Sequence, residues 1–230
     1  MNETITLTTV AERAFDGYLA RPPFGAATPG IVVLSEMYGL NGPMHAVADG
    51  YASRGFAALV PNLFWRSEIT RGLEYEGPDR DLAWARLKAL DLDAASADVH
   101  TAVTWLRGQP FCTGKVAGIG FCGGGRIAFL AASRTDIDAA ASLYGLGISN
   151  HLDEAGKITC PLQIHYGMRD QHVPAEEVEA VTKGVQGRPR IEVFSYPEAG
   201  HSFFNPVRPT FNAAAAQLAA ERIDAMLAAL

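Results

Sequence analysis

The sequence predicts an α/β fold, with a mostly parallel sheet and helices on both faces, built from residues 1–230 as a single domain. Three observations predict it. From residue 30 onward, short apolar runs alternate with segments of helical period, which is the pattern of βαβ units. The runs Gly30-Ile-Val-Val-Leu-Ser35 and Gly55-Phe-Ala-Ala-Leu-Val-Pro61 are continuously apolar through their centres, as strands buried on both faces are. Finally, Lys115-Val-Ala-Gly-Ile-Gly-Phe-Cys-Gly-Gly-Gly-Arg126 reads as a buried strand, a sharp glycine-rich turn and the start of a helix.

The elements follow in order. Thr4–Thr9 and Ala14–Ala20 alternate polar and apolar, which predicts a hairpin with a bulge near Asp16-Gly17. Arg21-Pro-Pro-Phe-Gly is a loop. After the strand Gly30–Ser35 comes the loop Glu36-Met-Tyr-Gly-Leu-Asn-Gly, then a helix over Pro43–Arg54 with proline in its first turn. The strand Gly55–Pro61 leads into an irregular stretch, 62–79, that mixes aromatic and charged residues, then a helical Arg80–Asp91. That stretch reads either as the cap of a pocket or as a surface connection. Asp93–Arg107 is amphipathic, with Ala97, Val99, Ala102, Val103, Trp105 and Leu106 on its apolar face. The glycine-rich strand and its helix run to about Ser133. Strands are expected at Ile137–Leu143, Pro161–Tyr166 and Arg190–Tyr196, helices at Ala175–Lys183 and from about Thr210 to the end.

Composition bounds the function. With 48% hydrophobic residues the chain has enough apolar surface for a sizeable core. A formal charge of −6 without a basic patch argues against nucleic acid and against an anionic membrane surface. Three cysteines without framework spacing point to a reducing, cytoplasmic compartment. No apolar run reaches the roughly 18 residues of a membrane span. The first residues lack the basic and apolar regions of a signal peptide.

Gly120-Phe-Cys-Gly-Gly124 puts Cys122 at the apex of the strand–turn–helix. This is the nucleophile elbow, G-x-S-x-G, with sulfur in place of the hydroxyl. The turn strains the backbone at the nucleophile and brings the flanking residues together, and glycine two before and two after removes the Cβ atoms that would collide. The helix that follows points free N–H groups and a positive dipole end at the sulfur, favouring thiolate. Two other readings fit these letters. Gly118-Ile-Gly-Phe-Cys-Gly123 matches the dinucleotide fingerprint G-x-G-x-x-G, although Asp136 and Asp138 come earlier than the acid expected about 20 residues on. A buried structural cysteine is the other.

In such a sheet, functional groups collect on loops at the C-terminal ends of strands. Three of those loops carry Cys122, Asp170 and His201. Nucleophile, acid, histidine is the chain order of an α/β-hydrolase. Cys122 would attack an acyl carbon, His201 would take the thiol proton, and Asp170 would fix the imidazole tautomer. His172 competes with His201, but it sits beside its would-be orienter rather than on a later loop. Asp153 and Glu154 compete with Asp170, yet only Asp170 directly follows a core strand. His45, His100, His151 and His165 read as structural or solvated. Oxyanion donors are expected from the N–H of Gly123 and of Met37. Glu36, beside Met37, reads equally as a group that holds or accepts the thiol proton and as a solvated loop glutamate. Cys112 and Cys160 read as structural.

These pieces resemble the dienelactone hydrolases over nearly the whole chain. The resemblance is carried by Glu36 before Tyr-Gly-Leu-Asn, Gly120-Phe-Cys-Gly-Gly124, Gly167 with Asp170, and Gly200-His-Ser-Phe203. It implies a single-domain α/β-hydrolase fold and cofactor-free, metal-free hydrolysis of a lactone, typically a dienelactone opened to maleylacetate, by a Cys-Asp-His triad. It implies that Glu36 takes the thiol proton when substrate binds. It also implies two arginines on the substrate carboxylate. Arg80 matches one, but Asn205 stands where the other is expected, with Arg208 nearby. Asn is no equivalent of a bidentate arginine. Ser202, Tyr144 and Asn205 are expected at the substrate site, and Phe64 and Trp65 as pocket walls. The expected partner is a small lactone or ester, with no nucleic acid and no membrane, and a monomer is favoured. A related esterase or thioesterase, a nucleotide-binding module and a non-catalytic hydrolase fold are the alternatives.

Overall fold

The computed structural model describes residues 1–23 and 25–230, so Phe24, within the predicted loop Arg21–Gly25, lies outside the described residues. The chain divides into two compact units, Met1–Ala117 and Gly118–Leu230.

In the first unit, β1 (Asn2–Val10) and β2 (Arg13–Ala20) form the predicted antiparallel hairpin. Its two turn residues, Ala11 and Glu12, are both left-handed, at φ 48° and 67°, the handedness that matches strand twist in a two-residue hairpin. The register shifts between Thr6, opposite Asp16, and Thr8, opposite Phe15. Leu7 is therefore the extra residue of a bulge beside Asp16, where the sequence placed one. Strand order continues β1-β2-β4-β3. β4 (Ala57–Pro61) runs antiparallel to β2 and parallel to β3 (Thr28–Leu34), with Ile31 opposite Ala58. Every residue of β4, and of β3 from Gly30 on, is buried, as the continuous apolar runs required.

The helices of this unit begin where their caps are. Asn41 Oδ1 accepts the Met44 N–H at 3.3 Å and opens α1 (Gly42–Ser53), with Pro43 in its first turn. Asp91 accepts the N–H groups of Asp93 and Ala94 at 2.9 and 3.1 Å and opens α3 (Leu92–Arg107). Val99, Ala102, Val103 and Leu106 on α3 are fully buried, each Val or Leu contributing about 1.5–3 kcal/mol. Ala97 is exposed rather than on the apolar face. The next position, Asp98, is buried instead, because its carboxylate takes the Trp65 Nε1–H at 3.0 Å and pairs with Arg66.

The stretch 62–78 is strapped down. Arg71 donates twice to Asp79, at 2.7 Å each, at the start of α2 (Asp79–Lys88). Arg86 on α2 reaches back to the carbonyls of Met37, Ile69 and Arg71, at 2.8, 3.3 and 3.0 Å. A cavity of about 480 Å³ opens beside it, lined by Phe64, Arg66, Leu82, Arg86 and Leu90 among others. Trp65 stacks on Phe15 at 5.4 Å and serves the core rather than that cavity.

β5 (Cys112–Phe121) starts in the first unit and ends in the second. In the second unit β6 (Ala139–Leu143), β7 (Leu162–Gly167) and β8 (Ile191–Tyr196) pair in parallel, with Ser142 opposite Ile164 and His165 opposite Phe194. α4 (Gly123–Arg134), α5 (Ala175–Gly184) and α6 (Ala213–Leu227) follow β5, β7 and β8. α6 starts three residues later than the sequence indicated, because Asn212 Oδ1 caps it through the Ala215 N–H at 3.1 Å. Between β6 and β7, residues Ile148–Lys157 form 3-10 turns, kinked at His151, that the sequence did not announce. Gly156 and the lack of a sustained period hide them. Arg134 at the end of α4 ties them down through Glu154.

Candidate active site

Cys122 is the joint between β5 and α4. Its backbone sits at φ 55°, ψ −118°, a conformation L-residues rarely hold, and its side chain is buried. Two hydrogen bonds fix the joint. The Cys122 N–H donates to the Leu143 carbonyl, and the Cys122 carbonyl accepts the Gly125 N–H, both at 3.0 Å. The steric argument for glycine holds at Gly120, where an added Cβ would lie 2.0 Å from the Gly124 oxygen. Gly123, the first residue of α4, has the orphan N–H of a helix start beside the sulfur.

Asp170 follows β7 and His201 follows β8, and parallel pairing of those strands puts the two loops side by side. The Met168 and Arg169 N–H groups donate across to Tyr196 and Ala199, each at 2.9 Å. The approach is so close that a Cβ on Gly167 would stand 2.5 Å from the Ala199 oxygen. Asp170 is buried and divides its oxygens. Oδ1 accepts the backbone N–H groups of His172 and Val173 at 2.7 and 3.0 Å, and Oδ2 meets His201 Nδ1 at 2.7 Å. His201 in turn is within side-chain hydrogen-bond reach of Cys122. Burial pushes the imidazole down. The Cys122 charge, the Asp170 hydrogen bond and the Cys122 hydrogen bond outweigh it, and the pKa is raised to about 10. His201, rather than His172, is the ring that meets the Asp170 carboxylate. His172 contributes its backbone N–H to Asp170, and its ring stands edge-on to His201 at 4.9 Å.

The surroundings hold this row in place. Tyr144, fully buried, meets the His201 ring edge-on at 5.0 Å and Phe203 at 5.5 Å. Among the described non-glycine residues, positive φ occurs in the hairpin turn and then only at Cys122, Tyr144 and Ser202, at 55°, 43° and 60°. The strain is thus gathered at the strand ends that carry the candidate site. Ser202 is buried. Asn205 is also buried, and its Oδ1 accepts the Val207 N–H at 3.2 Å, so that oxygen braces a turn. Arg208 is half-buried in the same turn, its N–H on the Asn205 carbonyl at 3.0 Å.

Three expected residues lie in the first unit. Glu36 is buried, at 2% exposure, which removes the solvated-glutamate reading; its carbonyl accepts the Gly39 N–H at 2.9 Å. Met37 is buried, its carbonyl held by Arg86. Arg80 is exposed on the first turn of α2. Two of the other histidines have structural partners. His165 is buried between Tyr196 and Gln163, and burial, with Arg222 nearby, pushes its pKa down to about 3. His45 stacks on Tyr18 at 4.0 Å. Cys112 and Cys160 are buried free thiols, and burial pushes the Cys160 thiol up. Among the described residues no group of three or more His, Cys, Asp or Glu is placed to hold a metal ion, and no helix is long and apolar enough to cross a membrane. Sequence reasoning passed over Arg126, although it stands four residues after Cys122 behind three glycines.

An α/β frame that ends in a strained elbow, an acid loop and a histidine loop is that of an α/β-hydrolase. More narrowly, the chain belongs to the dienelactone hydrolase family, whose profile matches residues 15–230. It is 33% identical over 218 residues to the carboxymethylenebutenolidase of Pseudomonas putida, covering 93% of this chain and 92% of that one. It is 30% identical over 232 residues to carboxymethylenebutenolidase 1 of Cupriavidus pinatubonensis, covering 100% and 98%. Among solved structures, a dienelactone hydrolase-like promiscuous phosphotriesterase from metagenomic libraries shares the fold at TM-score 0.83 and 23% identity, covering 100% of this chain and 98% of that chain. Dienelactone hydrolase from Anabaena variabilis shares it at TM-score 0.70 and 19% identity, covering 96% and 95%. The protein is a hydrolase of the dienelactone and ester type.

Proposed function

We propose that the protein hydrolyses a lactone, a carboxymethylenebutenolide-type dienelactone opened to maleylacetate, through an acyl-enzyme on Cys122. The observation that carries this reading is the row Cys122–His201–Asp170, with a 2.7 Å bond from His201 Nδ1 to Asp170 Oδ2 and the cysteine on a strained elbow. The thiol proton leaves Sγ and reaches His201 Nε2, and the thiolate attacks the ring carbonyl carbon. The carbonyl π pair moves to oxygen, where the Gly123 N–H, and the Met37 N–H expected from the sequence, receive the charge. Collapse breaks the ring C–O bond. The leaving oxygen stays tethered to the acyl group and takes its proton from His201. Water then gives a proton to His201 and its oxygen to the thioester carbon, and the thiolate departs.

In this reading Asp170 holds the Nδ1–H tautomer, and Glu36 acts as the resemblance implies, taking the thiol proton when substrate arrives and passing it on to His201. Arg80, Tyr144, Ser202 and Asn205 belong to the substrate site, with no cofactor. The 230 residues work as one domain, a cytoplasmic monomer acting on a diffusible small molecule. The relatives named carboxymethylenebutenolidase support the substrate class.

Asn205 favours a second reading, hydrolysis of another ester or thioester, because its oxygen is committed to Val207 rather than offering a cation. The test is ring opening of the dienelactone, followed by loss of its ultraviolet absorbance, with wild type and Cys122→Ala side by side. Turnover lost in the variant supports the first reading. No turnover by wild type on the dienelactone, with turnover on uncharged esters, supports the second.

A further inference from the structure

The first turn of α4 reads Gly123-Gly-Gly-Arg126, so no side chain stands between the nucleophile position and Arg126. Residues 122 and 126 share a helix face, and helical side chains lean toward the N-terminus. The Arg126 guanidinium therefore lies back over the bare glycine turn, where it is electrostatically coupled to Cys122. On its other side is Gly147, whose added Cβ would lie 3.6 Å from Arg126 Nη1. Glu177 is close enough to be felt, but its carboxylate is engaged by Ser149, through the backbone N–H at 2.9 Å and the hydroxyl. Arg126 Nε is buried and has no hydrogen-bond partner. Burial pushes this guanidinium down, where a settled ion pair would push it up. A buried cationic donor left open, about one helical turn from a nucleophile, is costly to keep unless something arrives to fill it.

Resting on the reading of Cys122 as nucleophile, we propose that Arg126 is the specificity-determining residue that takes a substrate carboxylate, offering the Nε–H and Nη–H edge to both oxygens. It supplies from α4 the cation that Asn205 does not supply from the histidine loop. One helical turn is about 5.4 Å, so the preferred substrates carry their carboxylate a few bonds from the scissile carbonyl.

The test compares alkylation of Cys122 by iodoacetate and by iodoacetamide in wild type, Arg126→Gln and Arg126→Lys. Each reaction forms an S–C bond and releases iodide, and each needs the thiolate. The ratio of the two rates therefore isolates recognition of the anion. The expected result is a fall in the iodoacetate-to-iodoacetamide ratio of roughly tenfold or more in Arg126→Gln, partly restored in Arg126→Lys, which keeps charge but not the fork. kcat/KM for a carboxylated ester falls by the same factor, relative to an uncharged ester of the same alcohol. Thermal stability is kept or raised, since an open buried donor has been removed. An unchanged ratio in a folded Arg126→Gln overturns the proposal, as does an equal slowing by both reagents, which makes Arg126 a thiolate-tuning residue. Ester hydrolysis that survives in Cys122→Ala overturns the nucleophile and this subsite together. Hydrolysis lost there, with selectivity intact in Arg126→Gln, overturns the subsite alone.

Discussion

Asp170→Asn changes one atom and should reveal what the acid does. In the native site Oδ1 takes two backbone N–H groups, from His172 and Val173, and Oδ2 takes His201 Nδ1. An amide has one acceptor oxygen, and the two backbone donors cannot turn away. If that oxygen stays on them, the NH₂ faces His201 and forces the tautomer that carries its proton on Nε2, which cannot accept from sulfur. The wrong tautomer costs about four decades in kcat, or about 5.5 kcal/mol. If the amide flips instead, His201 keeps its tautomer but two buried N–H groups are orphaned, at about 1–3 kcal/mol each. The resting variant keeps the amide oxygen on the two N–H groups and reacts by the cheaper of the two routes, the flip or the wrong tautomer, so kcat should fall by roughly 30-fold to 10,000-fold, while shape and burial are kept. The imidazole pKa should also drop from about 10, because both contributions from Asp170 are gone. Stopped-flow hydrolysis of a chromogenic ester reads the rate, and circular dichroism checks the fold. A folded Asp170→Asn within threefold of wild type would refute the division of labour between the two oxygens.

Two further predictions follow from the same geometry. Gly120→Ala places a methyl 2.0 Å from the Gly124 oxygen and must open the elbow, costing about 3 kcal/mol and about 6–12 °C in melting temperature, with activity lost even at temperatures where the variant is folded; calorimetry showing an unchanged melting point would contradict the close approach. The raised pKa of His201 has a definite sign. The group binds its proton more tightly folded than unfolded, so its contribution is complete below the ordinary histidine value of 6.5 and is lost as pH rises to about 10. Melting temperature against pH should therefore decline more steeply between pH 7 and pH 10, in rough terms, for wild type than for His201→Gln; parallel curves would show that no such pair exists.

Much of this was legible because burial on both faces leaves a mark. β3 and β4 are apolar at nearly every position, and βαβ alternation then sends Cys122, Asp170 and His201 to loops at the strand ends. What was hidden depends on backbone angles and partners rather than residue type. Nothing in the letters marks Tyr144 or Ser202 as left-handed. The burial of Glu36, the buried Asp98 in place of Ala97, and the second oxygen of Asp170 reaching the His172 N–H all depend on neighbours distant in sequence or on loop shape. Arg126 was in plain view after three glycines, yet only its buried, unfilled Nε sets it apart from a surface arginine.

The central claim is that sulfur at residue 122 carries the acyl group. Acid-quenching wild type within the first turnovers and weighing the peptide that contains Cys122 tests it most directly. With a lactone the account predicts a gain equal to the whole substrate, since the leaving oxygen stays tethered, and with a simple ester a gain of the acyl group alone. Turnover with Cys122 unmodified, and undiminished in Cys122→Ala, would contradict it.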